Sequence, residues 1–111
     1  MRYNDRRKTD SPVIGEVWFA KDLPFDDGIN RKGRPVIVLG IDGEYVSCYR
    51  CTSKNAPYRN RYPIVDLDLS GLDVDTYVDL ERSSVPNSKL VCRLGRLSKS
   101  DCEHLHIKRF G

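Results

Sequence analysis

The chain has 111 residues, 39% hydrophobic and 32% charged, with a formal net charge of +3. That length holds one core and no second, and folding should bury about 66% of the unfolded surface, enough to stand without disulfides or a structural metal. The balance excludes wholesale disorder, no apolar run nears the roughly 20 residues of a membrane span, and the opening MRYNDRRKTD has no apolar stretch like that of a secretory leader, so the cytoplasm is the expected compartment.

In chain order, residues 1–12 are polar and basic and end in Pro12, which predicts a loose tail ahead of a single domain over 13–111. Residues 13–20, VIGEVWFA, alternate: Val13, Val17 and Phe19 share one face, Glu16 and Trp18 the other, as in a half-buried strand. The Asp, Gly, Pro and Asn content of 21–33 predicts a long exposed loop. PVIVLGI at 35–41 is apolar on both faces and predicts a central strand, with part of its surface covered by a second copy of the chain. Asp42-Gly43 signals a hairpin turn, and 44–52 returns as the partner strand. A second loop covers 53–63.

IVDLDL at 64–69 alternates and predicts a strand with Val65, Leu67 and Leu69 inward, ended by Ser70-Gly71. Residues 75–81 predict another with Val78 and Leu80 inward, 84–88 a turn, and 89–94 a strand with Leu90, Cys92 and Leu94 inward. Ser98 reads as a helix N-cap with Asp101 in a capping-box position, opening a helix over 99–109. Six short strands and one terminal helix make a mainly β protein, a small barrel or rolled sheet. The Rossmann and parallel α/β classes are excluded.

Charge is unevenly spread. Between Arg50 and Arg61 lie four basic residues and no acid; between Asp66 and Glu81 lie six acids and no base. Such a division can give one cationic face, and solvated surface charge is the alternative reading of the same pattern. Asp66, Asp68 and Asp79 occupy the polar positions of alternating strands and read as solvated, although with Asp73 and Asp75 they suggest hard-metal ligands. Cys48 and Cys51 form a CxxC inside a strand, where residues three apart point to opposite faces, and Cys92 and Cys102 lack the matching spacing of a zinc ribbon. Reduced, mostly buried thiols are expected. On a helical wheel His106 falls among Cys102, Leu105 and Phe110, as a packed histidine, and His104 on the opposite side.

Five pieces in order carry a further signal: GEVWFAKDLPFDD, RKGRPVIVLG, CYRCTSKN, SGLDVDTYVDLERSSVPNSKL and LGRLSKSD. Together they resemble the MazF/PemK family of bacterial toxins over roughly residues 13–105. The resemblance implies an SH3-like β-barrel with a C-terminal α-helix, usually a homodimer. It implies the toxin of a type II toxin–antitoxin system: a metal-independent, cofactor-free endoribonuclease that cuts single-stranded RNA, commonly messenger RNA, at selected sequences. The implied partners are single-stranded RNA and a cognate antitoxin whose acidic tail fills the RNA groove. Operator DNA would be reached only through that antitoxin, and no membrane is involved.

The family's RP arginine matches Arg34 and its strand-end threonine matches Thr52. RNA cleaves itself when a 2′-hydroxyl attacks the adjacent phosphate, and a guanidinium fork can stabilise the charge that develops there. Arg34 is assigned that role; the hydroxyls of Thr52 and Ser53 can donate to the same phosphate. Position 50, where the family often has proline or an apolar residue, is Arg50 here, on the same strand face as Thr52. Arg31, Lys32, Arg50, Lys54, Arg59 and Arg61 are expected to line an RNA groove with Arg34, while Tyr58 and Tyr62 read either as stacking on unpaired bases or as exposed loop residues. Two rivals remain on sequence grounds: a non-catalytic barrel that binds RNA, DNA or protein, and a structural zinc protein using Cys48 and Cys51 with a cysteine or histidine from the last segment.

Overall fold

The computed structural model describes residues 11–24, 31–54 and 60–108. Strand β1 spans Glu16–Pro24, β2 Arg31–Asp42, β3 Tyr45–Thr52, β4 Arg61–Pro63, β5 Tyr77–Pro86 and β6 Leu90–Arg96; helix α1 spans Leu67–Ser70 and α2 Lys99–His104. The strands form one antiparallel sheet in the order β4-β5-β3-β2-β1-β6. The fold class is mainly β, as expected. β2 is central, and Gly43, with φ of +60°, opens its tight turn into β3. Among the described residues no helix is long and apolar enough to cross a membrane.

Alternation along the strands feeds two separate cores. Val17, Ile37, Cys51, Val78 and Ile64 meet Leu72, Leu97, Cys102 and Leu105, so this face of the sheet packs against the helical segments. Trp18, Ala20, Leu23, Val36, Val38, Val46, Cys48, Val85 and Leu90 form the other cluster, on the face where the sheet curls over itself. β1 is therefore covered on both sides. The half-buried strand expected from Glu16 and Trp18 is corrected: Trp18 is fully buried, and its indole Nε1 donates to Glu16 Oε1 at 3.0 Å, which also meets the indole's polar need. Val13 is exposed and Pro12 buried. β1 and β2 also run on through 21–24 and 31–33, leaving a shorter loop than expected.

The largest departure is at 64–69. The predicted strand is instead a turn into α1, with Val65 and Leu69 exposed. Asp66 is the reason: its carboxylate caps the helix by accepting from the Leu69 amide at 3.0 Å, a local bond that competes with any sheet ladder. Gly71 ends the helix at φ of +74°, where a Cβ would lie 1.9 Å from the Leu94 carbonyl oxygen. A Cβ on Gly95 would likewise collide with the Leu69 carbonyl oxygen, so two glycines let α1 press its backbone onto β6. The strand count of six survives because β4, placed in the sequence as loop, replaces the lost strand.

Ser98 caps α2 as expected, accepting from the Asp101 amide at 3.0 Å. The helix is shorter than 99–109. It stops at Leu105, and His106 follows at φ of +57° with its side chain exposed, not packed among Cys102 and Leu105. Val36, Ile37 and Val38 are buried by the chain itself, while Ile41, farther along β2, is exposed.

Candidate functional site

Arg34 lies on β2 directly across from Ala20 of β1. On the other side of β2, Val36 faces Arg50, Ile37 faces Tyr49 and Val38 faces Cys48. Carried two residues on, that register sets Arg34 opposite Thr52. Thr52 in turn faces Tyr77 of β5, and Tyr77 faces Pro63 of β4. One row across the sheet thus reads Arg34, Thr52, Tyr77. On the same face Val36 pairs with Arg50 and, beyond the irregular β3–β5 pairing, Asp79 of β5 faces Arg61 of β4. Two residues along a strand return to the same face, so both rows are displayed together.

This face is continuous with the cluster around Trp18. Its apolar end is Val36, Val38, Val46 and Cys48; its polar end is Arg34, Arg50, Thr52, Tyr77, Asp79 and Arg61, all half-buried. The Nε atoms of Arg34, Arg50 and Arg61 are withdrawn from solvent. Arg61 Nη1 donates to the Lys54 carbonyl at 2.7 Å, tying β4 to the end of β3. The Lys54 amide donates to Thr52 Oγ1 at 3.2 Å, which orients the hydroxyl and leaves its proton to donate. Behind Arg34, the Phe19 ring lies where a Cβ on Gly33 would sit, 2.3 Å from its Cζ, so the strand is backed by an aromatic at this point.

Of the other residues expected in the groove, Ser53 and Lys54 are exposed beside Thr52. Arg31 and Lys32 continue β2 beyond Arg34, with backbone paired to Pro24 and Leu23. Arg59 and Tyr58 lie outside the described residues. Tyr62 is corrected: it faces the opposite side of the sheet, against the core around Val78, and its hydroxyl donates to Asp101 Oδ1 at 2.6 Å, so it offers no stacking surface in the groove. Asp79 was expected on a solvated acidic face and instead occupies the cationic row. Nothing in its alternation signalled this, because the β4–β5 pairing that sets it opposite Arg61 is nonlocal. The register shift of β3 and β5 between Tyr49 and Cys51, a bulge beside Asp79, is likewise invisible in the sequence.

The cysteines are free and buried. Cys48 belongs to one core and Cys51 to the other, so the pair cannot close on one ion, which removes the basis of the zinc reading. Burial pushes the Cys48 thiol up to about 11, against the pull of Arg50. Burial also carries the Cys51 thiol far above its usual range, with Cys48 adding, Arg34 opposing and Asp79 adding. Both are inert packing thiols, and Cys51 lies within electrostatic reach of both Arg34 and Asp79.

No protein-family model matches the chain, and no curated protein sequence matches it. Solved structures do. The chain is similar to the Mycobacterium tuberculosis toxin MazF-mt6, at 20% identity and a TM-score of 0.63, over 82% of this chain and 88% of that one. It is also similar to a mycobacterial endoribonuclease solved in complex with its cognate antitoxin, at 14% identity and a TM-score of 0.64, over 87% and 89% of the two chains. At these identities the likeness establishes the fold: this chain has the MazF-like fold that the five sequence pieces implied.

Proposed function

We propose that this chain is the toxin of a toxin–antitoxin pair, an endoribonuclease that cuts single-stranded RNA at selected sequences by attack of a 2′-hydroxyl on the neighbouring phosphate. The observation that carries the reading is the cross-strand row of Arg34 and Thr52, with Arg50 and Arg61 on the same face. The fold, shared with a toxin and with an endoribonuclease bound to its antitoxin, supports it.

In this mechanism the scissile phosphate lies over Arg34 and Thr52. As the 2′-oxygen closes on phosphorus, negative charge grows on the non-bridging oxygens. The Arg34 guanidinium, half-buried with its Nε withdrawn from solvent, meets that charge with a cation. The Thr52 hydroxyl donates to the same oxygens, and Ser53 adds a donor from the exposed side. Arg50, Lys54, Arg59 and Arg61, with Arg31 and Lys32, bind flanking phosphates and keep the strand in register. A face carrying three guanidiniums disfavours a divalent cation, and 2′-hydroxyl attack requires none.

The products in this reading carry a 2′,3′-cyclic phosphate and a 5′-hydroxyl, and cleavage persists in excess chelator. End-group analysis of cut RNA tests it: 5′-phosphate ends make water the nucleophile and sink the mechanism, and RNA that is bound but never cut returns the chain to a binding module. A two-fold homodimer and a cognate antitoxin belong to the same reading. Sedimentation at micromolar concentration checks the first, and co-purification with the product of an adjacent short acidic reading frame checks the second.

A further inference from the structure

Thr52 is the last residue of β3 and Arg61 the first of β4, and both strands pair with β5. Thr52 faces Tyr77 and Arg61 faces Asp79, so the two side chains stand on the same face of the sheet with β5 between their strands. Two hydrogen bonds connect them through one residue. The Lys54 amide donates to Thr52 Oγ1 at 3.2 Å, and Arg61 Nη1 donates to the Lys54 carbonyl at 2.7 Å. The first closes a local turn, is long and lies exposed to water. The second is short, charge-assisted and joins residues seven apart. The strong bond therefore pins the residue on which the weak one depends. The base from which Arg61 reaches is tied as well, because the Leu80 amide donates to the Asn60 carbonyl at 3.2 Å.

We infer that Arg61 is a positioning residue for the proposed cleavage, clamping Lys54 so that its amide holds the Thr52 hydroxyl ready to donate to the scissile phosphate. The inference rests on the ribonuclease reading and deepens it. A threonine hydroxyl left alone can take another staggered rotamer or spend its proton on water. Once Oγ1 accepts from the Lys54 amide, that orientation is favoured and the proton is what remains to donate. A donor held in place before charge develops on the phosphate stabilises the transition state without reorganising. The clamp is separate from the phosphate binding that Arg61 also performs. It needs the bond to the Lys54 carbonyl, whereas phosphate binding needs only the charge.

Substitution separates the two roles. Arg61→Lys keeps the charge, but its nitrogen sits one bond short of Nη1 and lacks the planar fork. At saturating RNA its turnover should fall about tenfold, the upper worth of one hydrogen bond, with KM and the salt dependence of binding near wild type. Arg61→Met keeps the apolar stem and loses the charge, so it should lose the same turnover and weaken binding as well. In a Thr52→Val background, where the hydroxyl is gone, Arg61→Lys should lower turnover no further, since nothing is left to position. Hydrogen exchange at the Lys54 amide, read by NMR on the free protein, should speed up about twofold to tenfold in both Arg61 variants. Thr52→Val, which removes the acceptor, should speed it up equally.

Wild-type turnover in Arg61→Lys overturns the inference. So do losses that multiply in the double variant, which give Arg61 a part of its own in the reaction. A turnover loss that tracks a fall in melting temperature, with exchange raised throughout the sheet rather than at Lys54, also overturns it and marks a merely structural arginine. If the wild type binds RNA but cuts none, the ribonuclease reading fails on its own, and exchange at the Lys54 amide still judges the clamp. An unchanged rate in both Arg61 variants overturns it; a rate raised to that of Thr52→Val upholds it.

Discussion

Two aspartates sit among hydrogen-bond donors and cations in this molecule, and they are opposites. Asp101, at the start of α2, is fully buried. Its carboxylate accepts from the Tyr62 hydroxyl at 2.6 Å, from the amides of Val65 and Asp66 at 3.1 Å, and from the Ser98 hydroxyl at 3.1 Å. Asp79 is half-buried on the cationic face, across from Arg61. The Asp101 junction joins β4, the turn before α1 and α2, three segments that are distant in sequence, and every donor there has one arrangement. Asp79 faces Arg61 across β5 and β4, and its Oδ1 accepts only from the Glu81 amide, at 3.3 Å, among the described residues. A carboxylate saturated by short bonds in the interior builds the fold, and one set laterally among cations at the surface shapes what the surface binds.

The strongest test of that division is Arg34→Ala. In the proposed site it should lower the cleavage rate about a hundred- to a thousandfold, the usual loss for one transition-state donor, while RNA affinity and melting temperature change little. Arg34→Lys should also be poor, because an ammonium does not reproduce the guanidinium geometry. Thr52→Ala should cost less, and Thr52→Ser should keep much of the activity because the hydroxyl survives. A wild-type rate in Arg34→Ala moves the chemistry elsewhere in the molecule.

Asp101→Ala should do the reverse. It strands the Tyr62 hydroxyl and two amides, at a cost of about 3 kcal/mol, or roughly 12 °C in melting temperature for a domain of this size. Residual folded protein should still cleave at close to the normal specific rate. The charge matters as well as the shape. Burial by itself would raise the Asp101 carboxyl, but the Tyr62 hydroxyl, the Asp66 and Val65 amides and the Ser98 hydroxyl outweigh it and hold the group below the usual carboxylate range. Its folded value is thus depressed. The stabilisation is complete above about pH 4, the unfolded value, and fades as pH falls through the lower folded one. Asp101→Asn should flatten that acid arm of the stability profile; an unchanged arm means the charge is not what the junction holds.

What could be read from the sequence follows the same line between local and nonlocal causes. The β2–β3 hairpin was legible because its apolar runs flank a glycine turn, and the α2 N-cap because Ser98 and Asp101 are three residues apart. Val78 and Cys92 were legible as core from alternation alone. IVDLDL misled because alternation cannot see Asp66 turning on its own backbone to cap a helix. Asp101 was read only as half of a capping box; its side chain spends itself instead on residues 62 to 66, a segment some 35 residues away. In the proposed site, Arg34 and Thr52 came from their place in the five-piece pattern and Arg50 from strand parity with Thr52. Asp79 came from neither, since only the pairing of β5 with β3 and β4 brings it to that face.

The smallest effects give the finest cut, because two adjacent residues of β4 divide between the regions. Arg61 faces Asp79 and the groove, while Tyr62 faces Val78 and the core and donates to Asp101. Tyr62→Phe should lose about 1–2 kcal/mol of stability, one charge-assisted hydrogen bond, with no change in cleavage or in the salt dependence of RNA binding. It should also alter the alkaline limb. Burial, and then the hydrogen bond to Asp101, push the Tyr62 phenol well above its usual range. The stability this gives is present below about pH 10, the unfolded value, and is lost as pH rises through the folded one, so Tyr62→Phe should lack that loss. Arg61→Ala should show the complementary result: a melting temperature within a few degrees of wild type, and a salt slope for RNA binding shallower by about 0.7. A β4 whose two substitutions affect stability and RNA binding alike would mean that the strand moves as one unit, and that the two aspartates do not head separate regions.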